Sequence, residues 1–488
     1  MYIRSRNLVV VSLFCLAVIL LSCSETVHTD YQPLIEQGEF ARARQAIEYT
    51  LATDSSLTVL DRYNLEFEIE KMRRIELDFT KTEADMIDYI KEYIPDVNEG
   101  DIARWDEEKS LEAMVIDGHI RYFNYAARNL FRINKDCKAI WDKSHDYDEF
   151  IDSSQSKLVF NRIDQQLIDY YHRTGGKYSL PIRRRIEYTL NVDADVVPPG
   201  EIIRCWIPFP REIQDRQQNI TVVSSDPEQY IIAPNDLTLQ RTVYFEKPAA
   251  ADEPTMFVVT YDYTGYGVYK DVIAENVEPI DPAGPLAEYL HEQPPHIVFT
   301  DTLIALSKSI VGDGTNPYRV AQKLFSWVDD HIPWASAREY STIPNLSEYP
   351  IMNLHGDCGI QTMLFITLCR YNGIPARWQS GWIFEPGDYD SMHDWGMIYF
   401  EPYGWLPMDV TYGTLITDND ELKWFNLHGM DNGRLIFNDN ISCDFYPQKI
   451  YPRSETVDSQ RGEVEWRGGN LYFDQWDYEI KYDILSTL

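Results

Sequence analysis

Three residues of this chain have the types that nucleophilic catalysis needs, and they occur in a workable order. Cys358 could supply a thiol nucleophile, His393 a base for its proton, and Asp409 a carboxylate to orient the imidazole. The cysteine lies in Leu354-His355-Gly356-Asp357-Cys358-Gly359, and the apolar run 360–371 follows, ending at Asn372-Gly373-Ile374-Pro375. Gly373 suits a left-handed cap and Pro375 forbids continuation, so the run reads as a helix with Cys358 at its N-terminus. It is apolar nearly all round, which predicts burial on most sides. A thiol at such a helix start meets the positive end of the helix dipole, which favours thiolate, and the first-turn amides can hold an oxyanion. The thiol is therefore expected to titrate below the ordinary value of about 8.5. Cys369, well inside the helix, reads as a small buried hydrophobe.

Two strands are expected next, at 376–384 and 393–400, with a loop at 385–392 between them. On the second, His393, Trp395, Met397 and Tyr399 share a face while Asp394 points the other way, so adjacency alone does not make Asp394 a partner. After Pro402-Tyr403-Gly404 the chain returns through Trp405 to Asp409. A three-residue turn would place Asp409 on the His393 face and a four-residue turn would not, and Pro407 disturbs the ladder, so parity leaves the pairing open.

These motifs carry a family resemblance. Gly356-Asp357-Cys358, Gly373-Ile374-Pro375-Ala376-Arg377, His393-x-Trp395 and Gly404-Trp405 before Met408-Asp409 resemble the core of bacterial transglutaminase-like proteins, over about residues 285–430. The resemblance implies a papain-like core, a helix packed on an antiparallel sheet, with Cys358, His393 and Asp409 as its catalytic set. It implies attack on an amide carbonyl of a peptide or protein and a thioester intermediate, resolved by water or an amine. Crosslinking, deamidation and peptide hydrolysis all share that intermediate. Trp334 is the candidate for the oxyanion side, and Gly359 and Trp395 are further candidates to line the substrate. A non-catalytic binding or scaffold protein on the same fold is the alternative, because fold alone does not establish turnover.

The surrounding sequence supports a multidomain α+β chain. At 488 residues, two to four domains are expected. Residues 31–176 read as a helical domain from the spacing of Leu34, Phe40, Ala43 and Ile47, then Leu57, Leu60, Leu65 and Ile69. Residues 180–283 carry short alternating strands between turn clusters and predict a β-sandwich. The thiol core is expected at 284–430, entered through a helix at 317–331 that Asn316 caps, and a strand-rich extension at 431–488. At the N-terminus, Arg4 and Arg6 precede an apolar run too short to span a bilayer, and Leu20-Leu21-Ser22-Cys23 follows. This is similar to a bacterial lipoprotein signal of residues 1–22, with lipidation at Cys23, a tether at 23–30 and an exported, outer-membrane location expected from it.

Net charge and cysteine usage narrow the partners. A formal charge of −34 argues against nucleic-acid binding, since nothing here would replace phosphate counterions. The membrane is expected to be met through the lipid alone. Seven cysteines at scattered spacing do not make a disulfide framework. His355 near Asp357 and Cys358 has no metal-ligand spacing, His428 stands alone, and no calcium loop is present, so neither metal nor cofactor is expected.

Overall fold

The computed structural model describes residues 30–144, 163–385 and 389–487. The expected signal, the lipidation site Cys23 and most of the tether lie outside them. No described helix is long and apolar enough to cross a membrane. The chain divides into two compact units, one of residues up to 72 together with 115–119, and one of 73–114 and 120 onward.

In the smaller unit, Phe40–Thr53 buries Phe40, Ala43 and Ile47, the apolar stripe seen in the sequence. Gly38 has φ +74° and no room for a side chain, since a Cβ would lie 1.9 Å from the Val115 carbonyl oxygen. The helical region is not wholly helical. Ala113–Ile116 and His119–Tyr122 form a two-stranded hairpin whose turn residues Asp117 and Gly118 both have positive φ. Asp-Gly between short strands is the signal for such a turn, and the periodicity reading passed over it.

The larger unit holds the sandwich and the thiol core. One sandwich sheet orders Gly429–Met430, Thr255–Tyr269, Tyr178–Val192 and Trp476–Thr487, with Gln217–Asp226 also on the second of these. The other orders Gly469–Leu471, Glu463–Trp466, Ile202–Pro208, Thr242–Pro248 and Ile231–Ile232. Ile186, Tyr188, Leu190 and Val192 alternate inward, as their sequence predicts, to meet Cys205, Ile207, Val243 and Phe245. The segment 431–488 is thus not a separate extension. Its strands complete both sandwich sheets, and Arg434–Asn438 joins the sheet of the thiol core. Strand edges left open by 178–208 and 376–385 are what these residues satisfy.

The core sheet orders Gly404–Met408, Tyr389–Phe400, Ala376–Glu385 and Arg434–Asn438, all antiparallel. Against it packs the helix Cys358–Tyr371, buried from Gly359 to Arg370. Met363, Leu364 and Phe365 share a core with Trp378, Ile398, Phe400 and Leu406 of the sheet and with Leu324, Phe325 and Val328 of Pro317–His331. Asn316 caps that last helix through the Arg319 amide.

Candidate active site

Cys358 is the first residue of its helix because Asp357 caps it. The Asp357 carboxylate accepts the Ile360 amide at 3.1 Å and the Tyr340 hydroxyl at 2.7 Å. At the other end Gly373 takes φ +73° and the Ile374 amide returns to the Cys369 carbonyl, the cap its sequence called for. Gly359 must be glycine: a Cβ there would lie 2.1 Å from the Tyr340 hydroxyl oxygen and 2.6 Å from Asp394 Oδ2.

The strand Tyr389–Phe400 begins four residues before His393, earlier than expected. Phe400 pairs with Gly404, so the turn has three residues, and Asp409 follows Met408, the partner of Gly396. This register sets Asp409 on the His393 face. His393 Nε2 lies 2.7 Å from Asp409 Oδ2, and no described residue hydrogen-bonds Nδ1. Arg434, not anticipated from sequence, stands 3.0 Å from the same Asp409 oxygen and 3.1 Å from Asp431. Thr411 and Tyr412 present their amides to Asp409 Oδ1. Burial alone would raise the Asp409 pKa, but His393 and Arg434 outweigh it and hold the carboxyl below its ordinary range.

The thiol itself meets Asp394. Sγ lies 3.5 Å from Asp394 Oδ2, and the Asp394 backbone amide also faces the sulfur. Pairing with Gly404–Met408 ends at Gly396, which leaves this edge of the strand without a strand partner at 393–395. The helix start occupies that edge, one residue along from His393. His393 and Asp409 are therefore brought together, whereas the thiol hydrogen-bonds to the residue that parity had set aside. The reason is that the helix packs on the face of Asp394, Ile398 and Phe400, which alternation could not have assigned.

The environment also differs from the expected thiolate. Burial pushes the Cys358 thiol well up, and Asp394 and Asp357 add to it. Asp394 is raised by burial and by Asp458, and Asp357 is raised by burial to about 6. Helix-end stabilisation is outweighed here by desolvation and nearby carboxylates. Asp458 accepts from Ser380 Oγ at 2.5 Å, and Gln460 Nε2 reaches Asp394 Oδ1 at 2.9 Å and the His393 carbonyl at 3.0 Å. Both come from the C-terminal segment, outside the expected core, and no local motif marked them.

A cavity of about 490 Å³ opens beside the sulfur, lined among others by Trp334, Tyr340, Met392, Asp394 and Arg461. Arg461 is bound to Glu339 at 2.9 and 3.0 Å and to Glu455 at 2.8 Å, so its charge is satisfied internally. Trp334, 40% exposed, does line the cavity. Trp395 does not. It is fully buried, donates to Gln379 Oε1 at 2.8 Å, and lies under the Arg434 guanidinium, because it shares the His393 face. His355 and His428 are buried, with pKa pushed down to about 4 by desolvation, as packing residues would be. Cys137, Cys205, Cys358, Cys369 and Cys443 are all unpaired. Among the described residues no group of three His, Cys, Asp or Glu could hold a metal ion.

Comparison with known proteins places this geometry. Residues 304–410 match the transglutaminase-like superfamily. No curated protein matches the chain. A solved structure from Cytophaga hutchinsonii, described as a candidate cysteine protease, is 15% identical over 64% of this chain and 93% of its own, with a TM-score of 0.43. The periplasmic domain of TgpA from Pseudomonas aeruginosa is 13% identical over 49% of this chain and 93% of its own, with a TM-score of 0.26. The helix that Cys358 opens and the strand that carries His393 both fall within the family match, so residues 304–410 form a transglutaminase-like domain.

Proposed function

We propose that this protein cleaves or transfers acyl groups at amide bonds of peptide or protein substrates through a thioester on Cys358. The observation that carries the reading is the position of the sulfur, at the start of a buried helix, open to a cavity, and hydrogen-bonded to Asp394, the neighbour in sequence of a histidine already bonded to Asp409. Because Nε2 serves Asp409, Nδ1 is the nitrogen left to take the thiol proton. Sulfur attacks the carbonyl carbon, and the carbonyl π pair moves to oxygen. Collapse breaks the C–N bond, and the departing amine takes the proton from His393. Water or a second amine, deprotonated by His393, then attacks the thioester, the C–S bond breaks and the thiol recovers a proton. The amide at the helix start supports the oxyanion.

In its resting arrangement the thiol is protonated and donates to Asp394, so a substrate must draw it toward His393. That same arrangement favours a second reading, a peptide-binding protein with little turnover. The two separate in one experiment. The purified mature protein is incubated with casein-derived peptides, and products are read by mass spectrometry for wild type, Cys358→Ala and His393→Ala. Cleaved, deamidated or crosslinked peptides lost in both variants support the enzyme. Binding without any product, equal in all three proteins, supports the second reading.

The N-terminal sequence supports an exported chain tethered through Cys23. Cys23→Ser should abolish metabolic labelling with a fatty-acid analogue. Continued labelling would remove the tether from this reading.

A further inference from the structure

One side of the cavity is the segment 334–341, most of which has neither helix nor strand. It joins the helix start through a parallel bridge between Trp334 and Gly356 and through the Ala335 amide on the Gly356 carbonyl at 3.0 Å. Residues of the helical region hold it further. The Asn129 carboxamide donates to the Ser336 carbonyl at 2.8 Å and accepts the Ser336 amide at 3.0 Å, as a neighbouring strand would. The Arg132 guanidinium lies 4.4 Å from the Trp334 ring centroid. Asp78 accepts the Glu339 amide at 2.9 Å. Arg74, fully buried, donates to Ser341 Oγ at 2.9 Å and to the Ser454 carbonyl at 3.1 Å, so it ties this wall to the segment 454–461 across the cavity. Tyr125, from the same region, lines the cavity itself. All these residues belong to the larger compact unit.

We infer that the helical region is part of the substrate cleft, with Asn129 and Arg132 as positioning residues that set the wall against which the acyl donor lies. This rests on the thiol reading above. An irregular segment costs roughly 1–2 kcal/mol of backbone entropy per residue to order, and the contacts that offset this cost here come in part from outside the family domain. A substrate several residues long needs that wall in place, while a two-carbon reagent reaching the sulfur does not.

The test compares two alkylating agents on the full-length mature protein, iodoacetamide and a mixture of N-acetyl tetrapeptide chloromethyl ketones. Each forms a thioether at Cys358 as sulfur displaces halide, and rates are followed by mass spectrometry. Asn129→Ala and Arg132→Ala should slow the peptide reagents about five- to tenfold, as loss of one or two hydrogen bonds or a stacked cation implies. Both should stay within about twofold for iodoacetamide, with an unchanged pH profile. Asn129→Asp, which keeps the acceptor for the Ser336 amide but loses the donor, should fall between. Arg132→Ala, at a half-buried side chain, keeps the test open where Asn129→Ala fails to fold. Peptide rates equal to wild type in both variants, or equal slowing of both reagents, would overturn the inference and leave the thiol reading intact. A wild type that neither reagent labels at Cys358 would overturn both.

Discussion

A thiol 3.5 Å from a buried carboxyl, with an imidazole one residue further along the strand, has two candidate partners for one proton. Asp394 already receives Gln460 at 2.9 Å and the Tyr340 hydroxyl at 3.2 Å, and whenever it is ionised its charge disfavours a thiolate beside it. Asp394→Asn should therefore lower the Cys358 pKa and raise the rate of iodoacetamide alkylation at pH 7, by about tenfold if the shift is one unit. A slower rate would instead make Asp394 the base. His393→Ala should not reproduce the gain. On the other side of the strand, Asp409 depends on Arg434 as well as on His393. Both charges are almost wholly buried, and Arg434→Gln leaves Asp409 and Asp431 without their shared cation. Breaking a buried pair from one side costs about 3–5 kcal/mol, so urea unfolding should move to markedly lower concentration. A midpoint unchanged from wild type would mean that water replaces the guanidinium without loss.

Among the elements, the helix of Cys358 was the most legible, because its cap, its apolar run and its Gly-Ile-Pro stop are all local signals. The face shared by His393 and Asp409 was legible once the turn length was known, since strand alternation follows from register. What could not be read was the side of the sheet on which the helix packs, and hence Asp394, because that is decided by contacts of Ile398 and Phe400 far along the chain. Nor did the C-terminal strands announce their partners. Trp476–Thr487 runs antiparallel along nearly the whole of Tyr178–Val192, some 290 residues earlier, a pairing no local pattern encodes. That strand also buries Trp476 and Ile480 in the sandwich core. Truncation after Asp474 should expose the long edge of Tyr178–Val192, with loss of soluble protein and of a cooperative thermal transition. A soluble, cooperatively unfolding truncation would show that the sandwich closes without it.

At the scale of the whole molecule, the carboxyls around the cleft set how stability depends on pH. Burial raises Asp78 and Glu455 to about 7 and Asp357 to about 6, and these groups hold the wall at Glu339, line the cavity and cap the helix of Cys358. From their ordinary values near 4 up to these values, the folded chain keeps protons that the unfolded chain has lost, so each makes stability fall as pH rises. His296, His355 and His428, lowered to about 4 by burial, do the opposite between pH 4 and their ordinary 6.5, where only the unfolded chain is protonated. Asp409, held low, contributes stability above its ordinary pKa that is lost only in stronger acid. The histidine and carboxyl effects offset one another up to about pH 6.5. Above it the histidines are neutral in both states, while Asp78 and Glu455 still titrate, each contributing up to ~1.4 kcal/mol per pH unit. The net charge of −34 adds repulsion in the same direction, but salt screens that part and leaves the buried part. The Tm should therefore fall between pH 6.5 and 8 and go on falling in 0.5 M NaCl, as scanning calorimetry at matched ionic strength would show. A Tm that is level over this range in high salt would mean that these carboxyls are ionised in the fold. Cys358 would then rest as a thiol beside ionised carboxylates, which oppose a thiolate as burial does.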